Sequence, residues 1–81
     1  MEQEILKISD VATLKALSSP VRMRILGLLR NGDKRTVGQI SAQTGIAPGS
    51  ASYHLQKLEE VGLVRRVDYD EGDHRQSWWE T

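Results

Sequence analysis

The stretch VGQISAQTGIAPGSASYHLQKLEEVGLV, residues 37–64, sets two helical patterns close together on either side of a glycine. Thr36 precedes the first apolar position and can cap a short helix that contains Val37 and Ile40. Gly45 ends that helix, because glycine takes without penalty the left-handed backbone that closes a helix. Ile46 begins a tight connection into a longer helix over roughly 48–61, with Pro48 early in it, where a missing N–H costs nothing. Ala51, Leu55, Leu58 and Val61 form its apolar stripe, and Gly62 is the next stop.

Upstream, Ile8, Val11, Leu14 and Leu17 recur at three-residue spacing, which predicts an amphipathic helix over roughly 9–18 with Ser9 as its N-cap and Asp10 in its first turn. Ser18-Ser19-Pro20 ends it and starts another, since Ser19 can cap the orphan N–H groups and proline suits the first helical position. This second helix is expected to bury Val21, Ile25, Leu28 and Leu29 and to stop at Asn31-Gly32, with residues 33–36 a polar connector. Downstream, Leu63, Val64, Val67 and Tyr69 read as a strand, Asp70-Glu71-Gly72-Asp73 as a reversal, and Arg75 to Trp79 as the return strand. The expected fold is mainly α with a small β-hairpin, one domain over 1–81. It is a helix-turn-helix with a three- to four-helix core and a C-terminal two-stranded hairpin.

Eighty-one residues without a cysteine allow one small domain and close the disulfide route to stability. One core of this size rarely supplies more than about 3–5 kcal/mol, so a partner subunit is a natural supplement. The missing cysteines also remove thiolate nucleophiles, Cys-ligated zinc and thiol redox sensing, and they fit a reducing, cytoplasmic setting. No apolar run approaches the roughly 18 residues of a membrane helix, and MEQEILKISD lacks the basic flank and apolar stretch of a signal peptide. A soluble protein with no membrane partner is expected.

The formal net charge is zero, but its distribution is uneven. Between Pro20 and Lys57, six cations (Arg22, Arg24, Arg30, Lys34, Arg35, Lys57) face the single acid Asp33, while both flanks are net acidic. Such a field acts over about a Debye length, roughly 8 Å in physiological salt, so the middle segment can attract phosphate from a neutral molecule.

In a helix-turn-helix the first helix braces the second, whose N-terminal turns enter a major groove about 12 Å wide. Gly49, Ser50, Ala51 and Ser52 keep the start of the second helix slim, and its exposed N–H groups favour a nearby phosphate. Tyr53 and Gln56 lie one turn apart. Tyr53 can pack on a thymine methyl or a sugar, Gln56 can hydrogen-bond a base edge or a phosphate, and Lys57 suits a phosphate. The expected contact set adds Pro48 at the start of this helix, Thr36 and Gln39 on the supporting helix, Arg22 as a phosphate contact, and His74 and Arg75 as the cations near the hairpin tip. His54 has two readings, a phosphate contact and a hydrogen-bonded structural histidine.

LKALSSPVRMRILGLL, the quoted central stretch and the terminal hairpin together resemble a bacterial ArsR-type winged-helix repressor. The resemblance implies a recognition helix at Ala47 to Lys57, a supporting helix at Val37 to Thr44, a wing at Val67 to Trp78, and a homodimer bound to a palindromic operator. Three departures bear on mechanism. The supporting helix lacks the cysteines with which some members sense thiophilic metals. Members usually carry a further C-terminal helix that pairs with the first to build the dimer, whereas this chain ends at Thr81. The alternatives are a piece of a longer regulator, or association through helix one and Trp78-Trp79. Third, Asp68, Asp70, Glu71 and Asp73 make the wing acidic, which repels phosphate.

Other functions have weaker support. His74 with Asp70 and Asp73 falls short of the three or four converging ligands zinc needs, so no metal or cofactor is expected. Ser50, Ser52, His54 and Asp68 lack an oxyanion loop and a buried pocket, so no catalysis is expected. The runner-up is a winged-helix module for protein interaction or dimerisation without specific DNA binding, which would expose apolar residues where this chain has Gly49, Ser50, Ser52, Tyr53, Gln56 and Lys57.

Overall fold

A computed structural model describes residues 11–71 and 74–81, without the side chains of residues 71, 74 and 75. The expected cap at Ser9 and Asp10, the apolar Ile8 and the tip at Gly72-Asp73 lie outside the described residues. Among these, four α-helices precede one antiparallel hairpin: α1 (Val11–Leu17), α2 (Pro20–Leu28), α3 (Val37–Thr44), α4 (Pro48–Glu60), β1 (Arg65–Glu71) and β2 (His74–Glu80). The winged helix-turn-helix expected from the sequence is the fold observed.

Local chemistry explains most boundaries. The Ser19 hydroxyl accepts from the Arg22 N–H at 3.3 Å, and Pro20 opens α2. Asn31 and Gly32 both take positive φ, 63° and 77°, and turn the chain out of α2 through a short 3-10 segment. At α3 a full capping box forms. Thr36 Oγ1 accepts from the Gln39 N–H at 3.2 Å while Gln39 Oε1 accepts from the Thr36 N–H at 3.0 Å. Gly45, at φ 76°, closes α3, and its N–H donates to the Ser41 carbonyl.

The core comprises Ala16, Ile25, Leu29, Ile40, Ala51, Leu55, Leu58, Val64 and Trp79. Ile25 and Leu29 of the second helical pattern are buried, whereas Val21 and Leu28 are partly so. The apolar stripe of the first helix lies largely at the surface. Val11 is 66% and Leu14 51% exposed, and α1 packs inward through Ala16. A three-residue repeat drifts around a helix of 3.6 residues per turn, so its members do not share one narrow face, and Ala16 is the buried residue of α1 among those described.

Two further differences lie at the hairpin. Leu63 and Val64 precede β1 rather than begin it. The connector expected to be a polar loop is instead part of the sheet's edge. The Arg35 N–H donates to the Trp79 carbonyl at 3.1 Å and the Trp79 N–H to the Arg35 carbonyl at 2.8 Å. Of the paired tryptophans, Trp79 is buried, while Trp78 is half-buried with its ring edge-on to Tyr69 at 6.5 Å. Arg65 pairs with the buried Glu80 across the strands, and Lys34 reaches both Glu80 and the Tyr69 hydroxyl, so the hairpin is tied to the helical body at its base.

Candidate nucleic-acid interface

Helix α4 buries Ala51, Leu55 and Leu58, one stripe of a helix, which leaves the opposite face to solvent. Pro48, Gly49, Ser50 and Gln56 are exposed, Tyr53 is 53% exposed, and Ser52 and Lys57 are half-buried. Among the described residues no side chain caps α4. Ala47 occupies the N-cap, so the first N–H groups of the helix are open to an outside acceptor.

The turn that aims α4 is fixed by side chains of α3. Ser41 Oγ donates to the Ile46 carbonyl at 2.5 Å, and Thr44 Oγ1 donates to the Ile40 carbonyl at 2.7 Å while accepting from the Ile46 N–H at 3.3 Å. Arg24 adds a brace from α2, since its Nη2 donates to the Thr44 carbonyl at 3.2 Å, a hydrogen bond to the end of α3. Arg24 has no place in the expected contact set. Its role becomes visible only when α2 and α3 are packed.

Arg22 and His54 meet. Arg22 Nε donates to His54 Nδ1 at 3.1 Å, an arrangement that requires a neutral imidazole with its proton on Nε2. Burial, and then the neighbouring guanidinium, hold the His54 pKa below its ordinary value. This geometry supports the structural reading of His54 and gives Arg22 a task in orienting α4. Tyr53 lies edge-on to His54 at 5.5 Å, and the Lys57 ammonium stands 5.5 Å from the Tyr53 ring centre and 3.7 Å from Glu60.

The expected residues thus divide. Pro48, Gly49, Ser50, Ser52, Tyr53, Gln56 and Lys57 lie together on α4. Thr36 and Gln39, at the start of α3, hold each other in the capping box. Backbone register puts His74 opposite Glu71 and Arg75 opposite Asp70, and the side chains of His74 and Arg75 lie outside those described. The central positive charge also divides. Lys34 and Arg35 serve the hairpin base, with Arg35 Nε donating to Gln43 Oε1 at 2.8 Å, so Arg22 and Lys57 are the cations of the segment that flank Tyr53 and His54 on α4. No three His, Cys, Asp or Glu side chains converge among the described residues, and no described helix is long and apolar enough to cross a membrane.

A family model described as a helix-turn-helix domain matches residues 17–67. The HTH-type transcriptional regulator YgaV of Escherichia coli K12 is 34% identical over 53 residues, which is 65% of this chain and 54% of YgaV. The transcriptional repressor SdpR of Bacillus subtilis 168 is 38% identical over 61 residues, 75% of this chain and 59% of SdpR. The chain therefore spans between half and three fifths of the length of these curated relatives. Among solved structures, reduced HlyU from Vibrio cholerae superposes with a TM-score of 0.77 at 25% identity, covering 98% of this chain and 78% of HlyU. The matched segment runs from the end of α1 into β1 and contains α3, the turn and α4, and on that ground the chain belongs to the helix-turn-helix domain family, in its winged, ArsR-like form.

Proposed function

We propose that this protein is a sequence-specific regulator of transcription that binds double-stranded DNA, inserts the start of α4 into the major groove, and acts as a repressor. The observation that carries this reading is the exposed face of α4. Small residues at Gly49, Ser50 and Ser52 lead into Tyr53, Gln56 and Lys57, on a helix aimed by hydrogen bonds from α3. The names of YgaV and SdpR support regulation, and that of SdpR supports repression. A homodimer on a palindromic site fits the exposed Val11 and Leu14 of α1, which give a second copy an apolar surface to cover. The test is selection from a randomised duplex library at two salt concentrations, with sedimentation of the complexes. Enrichment of a two-half-site palindrome by a dimer is expected. Binding that ranks all duplexes equally, or no binding at low salt, overturns the reading in favour of a protein-interaction module.

A further inference from the structure

A cleft of about 360 Å³ opens between α1, the first turn of α2 and the second half of α4. Its volume lies at the lower end of the range usual for small-molecule sites. Among the described residues, Lys15, Arg22 and Lys57 line it with Tyr53, against the single acid Glu60, and Ala16 and Val61 supply apolar wall. The charges are unequally engaged. Glu60 is taken by Lys57 at 3.7 Å, whereas the Lys15 ammonium and the Arg22 Nη groups have no partner among the described residues.

We infer that this cleft binds a small organic anion, a carboxylate or phosphate monoester carried on an aromatic or short apolar body. The anionic head satisfies Lys15 and Arg22, and the body lies against Tyr53 and Val61. Two observations favour such a ligand over a bare anion. The cations flank a half-exposed aromatic ring, and the walls between them are apolar. Where α4 reads DNA, as proposed above, the consequence is regulatory. Tyr53 and Lys57 belong both to this cleft and to the DNA-facing side of α4, and Arg22 holds His54 of the same helix, so an anion seated here competes with DNA.

The test separates the cleft from the DNA reading. The 15N-labelled chain, without DNA, is titrated with benzoate, phenyl phosphate, inorganic phosphate and uncharged benzyl alcohol at constant ionic strength. Benzoate or phenyl phosphate should shift the amides of Lys15, Arg22, Tyr53 and Val61 saturably, with a dissociation constant near about 1 mM, a reasonable strength for so small a ligand. Benzyl alcohol should bind at least tenfold more weakly, and Lys15→Ala, an exposed substitution, should weaken benzoate at least fivefold without altering the melting temperature. In a second arm, saturating benzoate should raise the dissociation constant for a selected duplex several-fold in the parent and not in Lys15→Ala. Absence of saturable shifts, or benzoate affinity unchanged in Lys15→Ala, overturns the inference. Inorganic phosphate matching benzoate also overturns it, since the cleft would then be a simple phosphate contact for the DNA backbone. Failure of the second arm alone, with the first intact, removes the competition with DNA and leaves the ligand site standing.

Discussion

Replacing Gly49 with alanine should move stability and DNA affinity in opposite directions. Gly49 is the second residue of α4, its φ is not among the positive ones, and a Cβ built there meets nothing within 4 Å. Alanine therefore fits without strain and narrows the unfolded ensemble, which is worth about 0.4–1 kcal/mol. For a domain of this size that corresponds to a rise in Tm of about 2–8 °C. The open space that makes the substitution harmless in the free protein is the space proposed for the edge of a major groove. A methyl group there should cost about 1 kcal/mol of binding, roughly fivefold in Kd on a selected duplex. Circular dichroism melts without DNA and anisotropy titrations at one salt concentration measure the two effects separately. A variant that melts below the parent contradicts the open, helical environment of residue 49. A variant that melts higher yet binds the duplex as tightly as the parent removes Gly49 from the interface.

Other expectations follow from the same geometry. Lys57→Ala should weaken binding to every duplex alike and reduce the slope of log affinity against log salt by about one unit, whereas Gln56→Ala should change the ranking among sites; a uniform loss for both refutes this division of roles. Thr36→Ala removes half of the capping box and should cost about 1 kcal/mol, a fall in Tm of about 4–8 °C; an unchanged melt means that the box contributes nothing to α3. His54 is held below its ordinary pKa of 6.5, chiefly by burial and secondly by Arg22, so the unfolded chain binds this proton more readily than the native protein. Its contribution to stability is present above about pH 6.5 and is lost as pH falls below that value, through the native pKa. The parent should therefore lose more Tm than His54→Gln between about pH 7.5 and about pH 5.5, and equal losses contradict a His54 pKa held below its ordinary value.

What could be read from the sequence was local. Ser19, Thr36, Gly45 and Gly62 act within a few residues of themselves, through caps and left-handed stops, and each marks an observed boundary. The exposed side of α4 was likewise legible, because Ala51, Leu55 and Leu58 define its complement. The placement of the α1 stripe shows the limit of such local reading. Apolar residues at three-residue spacing say that a helix has an apolar side, but not that a neighbour covers it, and the small Ala16 makes the contact. Pairings between distant residues left no trace in the sequence. Arg35 meets Trp79, and Arg22 meets His54, only once the helices and hairpin have docked. The exposed Val11 and Leu14 acquire meaning in the same way, as surface rather than core.

The central claim, that the face of α4 reads DNA, is tested most directly by titrating the 15N-labelled chain with a selected duplex and mapping the perturbed amides. Perturbations should concentrate between Gly49 and Lys57, strongest at Gly49, Ser50, Ser52, Tyr53 and Gln56, and should shrink on a duplex with altered half-sites. Perturbations confined to α1 and the hairpin, with α4 silent, would contradict the account.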